Sequence, residues 1–152
     1  MNDQPATGNI AKGVRLFNEH HFWHAHEAWE ALWLTASGEE KTFLHGLIQL
    51  AAAYHHVQRG TVRGGVRLFD AAFGKLQRFP DHAGGVGREE AIAVAREHRE
   101  RIARGDNIAA SEFPKLSYNG DLSRSAQRNA TAEGTNAGNG STGQGAAGRS
   151  AG

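Results

Sequence analysis

The chain has 152 residues, with 17 Lys and Arg against 16 Asp and Glu and a formal net charge of +1, a length that suits one domain. Without cysteine it has no disulfide scaffold, thiolate metal site or cysteine nucleophile, and its near-neutral charge offers no strong field to nucleic acid or an anionic membrane. No apolar run approaches the roughly 18 residues of a membrane span, and the start MNDQPATGNI lacks the pattern of a signal peptide, so a soluble cytoplasmic protein is expected.

Ile10, Val14 and Phe17 form a helical stripe that predicts a first helix over 8–20. Phe22, Trp29 and Trp33 share one face of a second, over 22–36, which ends at Ser37-Gly38. A third helix, 39–59, starts at Glu39-Glu40 and runs through FLHGLIQLAAAYHHVQ to Gly60. It is apolar nearly all round, the mark of a central buried helix. Val62, Val66, Phe69, Phe73 and Leu76 mark a fourth over 61–78, stopped by Pro80. The fifth, about 88–104, is mostly charged, with only Ile92, Ala95 and Ile102 as an apolar stripe. Phe113-Pro114-Lys115-Leu116 should pack back on the bundle. No segment sustains period-two alternation, so the predicted fold is an all-α bundle of about five helices. From Asn119 the chain turns to Gly, Ser, Thr, Asn and Ala and holds eight of the twenty glycines. Such a segment cannot offset its ordering entropy. The expected division is a helical domain over 8–118 and a disordered tail over 119–152.

Seven of the nine histidines lie between His20 and His56. On a projection of about 100° per residue, Phe22, Trp29 and Trp33 fall on one side of His26, and Trp23 and Leu34 on the other. Glu30, one turn on, lies inside the same apolar arc, Glu27 at its edge, and His24 nearly opposite. An ionised carboxylate on a buried face needs a partner: a histidine, an arginine or a metal. In the third helix His45, Gln49 and His56 form a polar strip, while His55 points toward Leu44 and Ile48. Facing helices of a bundle assemble metal sites from such side chains. The plainer alternative is that His26 and Glu30 satisfy each other as a structural i,i+4 pair. Arg59, Arg63 and Arg67 follow helical spacing and read as a solvated face. Gly84-Gly85-x-Gly87 lacks the preceding strand of a phosphate loop.

Together Leu16-Phe17-Asn18, His26-Glu27-Ala28-Trp29-Glu30-Ala31-Leu32-Trp33, Phe43 through Ala53, and Arg59-Gly60 resemble domain-of-unknown-function family 309, small bacterial and archaeal proteins. The likeness spans roughly residues 13–78. It implies an all-helical fold around one central helix, and a metal-binding role for an H-x-x-x-E-x-x-W signature, which is His26, Glu30 and Trp33 here. No reaction comes with it. The sequence departs from the expected pattern at His24 and His45, where an acidic residue and a glutamine are usual. The resemblance in spacing favours His55 as the histidine near the end of the central helix, whereas the projection favours His56.

Two functions follow as expectations. One is a divalent-metal site of His26, Glu30 and His56 or His55, with Glu27 as base and metal-dependent hydrolysis as the chemistry. Nitrogen and oxygen ligands suit Zn²⁺, Mn²⁺ or Fe²⁺. The other is a non-enzymatic helical interaction module in which the His26–Glu30 pair fixes helix register. The partner expected is a small molecule or a protein, not nucleic acid or a membrane.

Overall fold

The computed structural model describes residues 5–120, with side chains from Ile10 onward. Five α-helices follow in order: α1 (Pro5–Asn18), α2 (Phe22–Trp33), α3 (Gly38–Arg59), α4 (Val62–Leu76) and α5 (Glu89–Ala103). The all-α bundle expected from periodicity is therefore present. Most of the expected tail, residues 121–152, lies outside the described residues. Among the described residues no helix is long and apolar enough to cross a membrane.

Successive helices pack as antiparallel neighbours. Trp29 of α2 donates its indole N–H to the Ile10 carbonyl of α1 at 3.2 Å, and Phe17 meets Phe22 edge-on at 4.9 Å. Gly46 of α3 lies against Leu76, while Gly65 of α4 lies against Ala53 at the other end. Asp70 of α4 pairs with Arg99 of α5 at 2.9 Å. The central position of α3 is set by its composition, with nine residues buried, among them Leu47, Leu50, Ala51 and Tyr54. Tyr54 is the hub of the core: the rings of Phe17, Phe22, Phe69 and Phe113 all lie within 6 Å of its own.

The ends of α3 follow from glycine. Gly60 takes φ 76°, its N–H bonds the Val57 carbonyl, and the N–H of Thr61 reaches back to His56. These are the paired bonds of a left-handed helix cap, which glycine forms without a Cβ penalty. The α5 start is capped from upstream, since Asp81 accepts the N–H groups of Arg88 and Glu89 at 2.6 and 3.1 Å.

One feature departs from the expectation of helices alone. The two-residue strands β1 (Val86–Gly87) and β2 (Ser117–Tyr118) pair antiparallel, too short to leave an alternation in the sequence. They belong to a strap that returns the chain to α1. Asn18 donates to the Leu116 carbonyl and accepts from the Leu116 N–H, both at 2.8 Å. Phe113 and Leu116 are buried as expected.

Candidate functional site

The buried residues of α2 are Phe22, Ala25 and Trp29, which lie within about 60° of one another at 100° per residue. Ala25, a small residue, pulls the centre of the buried face about 65° away from His26. His26 therefore sits at the shoulder of that face, its side chain 17% exposed, and Glu30 lies on the rim at 46%. This corrects the expectation of a buried carboxylate: Glu30 stays hydrated and needs no counter-charge. His26 Nδ1 and Glu30 Oε1 are 4.0 Å apart, beyond hydrogen-bond reach. His26 Nδ1 is buried without a partner, as is Gln49 Oε1.

Antiparallel pairing of α2 with α3 is fixed by two ring contacts. Trp23 meets His55 with centroids 5.2 Å apart, and Trp33 meets His45 at 5.6 Å. On this register His26 is level with Ala52, and Glu30 with Ile48. The His26 imidazole stacks on the Trp23 indole at 4.5 Å and 11°. Trp23 thus has an imidazole from each helix against it, yet 46% of its surface remains exposed. Lys41 lies over the Trp33 ring at 4.5 Å.

The two histidines at the end of α3 separate. His55 turns to Trp23, whereas His56 bonds the Thr61 hydroxyl and abuts Gly64 of α4. His56 is thus committed to the α3–α4 corner, contrary to the projection that turned it toward α2. Burial, then the charges of Arg59, His56 and His26, hold His55 below the usual histidine range. Burial and Lys75 do the same for His45. Glu27, expected as a base, is exposed and pairs with His24 at 3.4 Å instead.

A divalent metal needs several donors converging on one point. Among the described residues no group of three or more His, Asp or Glu is so placed. His26 and His55 each pack on the Trp23 indole, and His56 is turned to Thr61. The arrangement as it stands does not fit a metal held by His26, Glu30 and His55.

With this geometry established, the likeness to known proteins is specific in extent. Residues 10–68 match the family described as domain of unknown function (DUF309). No curated protein matches the chain. The matched segment covers α1 from Ile10, α2, α3 and the first half of α4. It includes every residue expected at the site, and leaves out α5 and the strap.

Sequence reasoning missed a further polar pair. His98 lies in the charged fifth helix, yet it is 2% exposed and its Nδ1 is 2.8 Å from the Tyr54 hydroxyl. Burial, followed by Arg101, lowers its pKa against the opposing pull of Glu112 and Glu97, and burial pushes the Tyr54 hydroxyl up. Its one sequence signal is its position seven residues after Ala91 and three after Ala95, on the only small-residue face of α5. A concavity of about 490 Å³ between the end of α4 and the start of α5 is lined by Leu76, Phe79, Asp81, Arg88 and Ile92, among others. The Arg88 guanidinium there donates to the carbonyls of Leu76, Phe79, Pro80 and Val86, so its charge serves the fold.

Proposed function

We propose that the chain is a helical recognition module whose binding surface is the α2–α3 face, anchored on Trp23. The observation that supports this reading is the half-exposed indole, held from behind by His26 and His55. A large aromatic ring immobilised before binding contributes contact area at little entropic cost, which is why tryptophan is enriched at binding hot spots. In this reading the histidines position the indole and Glu30 is a hydrated rim residue.

A divalent cation (Zn²⁺, Mn²⁺ or Fe²⁺) with hydrolytic chemistry is the second reading, favoured by the unpartnered Nδ1 of His26. It requires His26, Glu30 and His55 to draw together. Metal analysis and melting with and without EDTA separate the two, because a ligand bound only to the native state raises its melting temperature. The recognition reading expects a metal-free protein whose melting is unchanged by EDTA. A stoichiometric metal lost in His26→Ala, with a melting point lowered by chelator, would overturn it.

A further inference from the structure

The concavity between the end of α4 and the start of α5 is a second surface, separate from the α2–α3 face. Its volume of about 490 Å³ falls in the range of small-ligand sites. Leu76 in its wall lies against Gly46 of α3. Trp23 meets His55, about 14 Å further along that helix at 1.5 Å per residue.

The floor of the concavity is apolar and fixed. Leu76 is buried, and Phe79 is held edge-on by Phe43 with centroids 5.3 Å apart. From the other wall α5 presents Glu89, Ile92, Ala93 and Arg96, the i, i+3, i+4, i+7 spacing of one helix face. Ile92 and Ala93 thus lie between the two charges and extend the apolar floor. Gln77 is exposed at the rim.

The charged residues of this lining divide into those already engaged and those left free. Arg88 gives its N–H groups to four backbone carbonyls. Asp81 caps the start of α5 and lies close enough to offset the Arg88 charge. Neither Glu89 nor Arg96 has an ion-pair partner for its side chain among the described residues. Arg96 is laid over the Phe73 ring at 4.6 Å, a cation–π contact that positions the guanidinium while leaving its N–H groups to an anion. Glu89 and Arg96 are two turns apart, about 10 Å at 1.5 Å per residue, so they do not satisfy each other. One turn beyond Arg96, Asp70 and Arg99 are paired together.

A free carboxylate and a free guanidinium at opposite ends of an apolar trough call for a ligand of reversed polarity with an apolar middle. Three extended peptide residues span about 10 Å, with an ammonium at one end and a carboxylate at the other. We infer that the α4–α5 concavity binds short peptides with free ends, the ammonium against Glu89, the carboxylate against Arg96 and an apolar middle side chain on Phe79 and Ile92. The Gln77 amide, which both donates and accepts, suits the peptide backbone. A fatty acid or an alkylamine would leave one of the two charges unmatched. The site is independent of the Trp23 reading above.

The test is a nuclear magnetic resonance titration of the labelled full chain with the tripeptide alanyl-leucyl-alanine. Saturable amide shifts centred on 77–79 and 89–96 are expected by about 5 mM, where even a millimolar complex is largely formed. Acetylating the amine or amidating the carboxyl should each weaken binding roughly threefold, the scale of one exposed charge pair. Arg96→Gln should make amidation immaterial, and Glu89→Gln should do the same for acetylation. Ala93→Met, from an exposed position, fills the trough and should abolish binding with an unchanged melting temperature. Trp23→Ala should bind as the parent does. Absence of saturable shifts overturns the inference, as does a doubly blocked peptide that binds as tightly as the free one. Tighter binding of octanoate or octylamine than of the peptide also overturns it, assigning the trough to aliphatic amphiphiles. Loss of binding in Trp23→Ala overturns it too, because the peptide would then belong to the α2–α3 face.

Discussion

Replacing glycine by alanine inside a helix ordinarily stabilises a protein by about 1 kcal/mol, and two glycines here should respond with opposite signs. Gly74 lies on the exposed side of α4, with nothing within 4 Å of where a Cβ would sit. Gly74→Ala should therefore gain the full propensity term. Gly13 of α1 is crossed by Trp29, whose indole Nε1 fills the position a Cβ would take. Trp29 is fully buried and rigid, so the ring or the whole of α1 must move. Overpacking of this kind costs about 1–3 kcal/mol. Displacing the indole from the Ile10 carbonyl adds about 1–3 kcal/mol for an unsatisfied donor. Against the gain of about 1 kcal/mol, a net loss of about 1–5 kcal/mol is expected. Urea unfolding followed by far-ultraviolet circular dichroism measures both variants on one scale. Equal gains in the two variants would refute the packing of α1 across Trp29. A loss in both would refute the exposed placement of Gly74.

Three further outcomes are expected. His98 is held below its usual pKa, chiefly by burial, while in the unfolded chain it titrates near 6.5. Acidification loads the unfolded state with a proton that the native state resists. Stability is thus complete above about pH 6.5 and falls below it, by at most about 1.4 kcal/mol per pH unit for this group. Urea midpoints across that range should show a shallower acid-side slope in His98→Gln, and identical slopes would count against the buried pair. Asn18→Ala removes both bonds to Leu116 and should cost about 1–3 kcal/mol. Faster amide exchange across 113–118 would accompany that loss, and unchanged exchange would contradict the strap. Glu30→Gln should change stability by less than about 0.5 kcal/mol, as for other exposed pairs; a loss above about 2 kcal/mol would mean that the pair is buried and coupled.

Much of the fold was legible because long apolar stripes dominate it. The stripe of α4 and the all-round apolar character of α3 fixed two helices and their depth. The site was less legible, for a reason visible in α2. A projection weighted by large side chains puts Trp23, Trp33 and Leu34 on a buried arc, although Trp23 and Leu34 are exposed. The deciding residue is Ala25, small enough to let α2 approach its neighbours and therefore central, yet a weak signal in the sequence. His56 was misdirected for another reason. Periodicity describes one helix at a time, and the close approach of Gly64 in α4 draws that imidazole to the next corner. His98 was hidden by its charged neighbours, and the β-ribbon by its length.

The strap joining Leu116 to Asn18 also determines how the chain comes apart. A row of hairpins contacting only nearest neighbours behaves like a zipper and can fray from either end. Here the last described segment is fastened to the first helix, and Phe113 is set against Tyr54 of the central one. The row becomes a ring, in which opening any one joint exposes the aromatic hub. Residues 10–68, though a recognisable evolutionary unit, are therefore only an arc of that ring. Cut from α5 and the strap, they would leave one side of Tyr54 in water, so the whole described span should melt in one cooperative step.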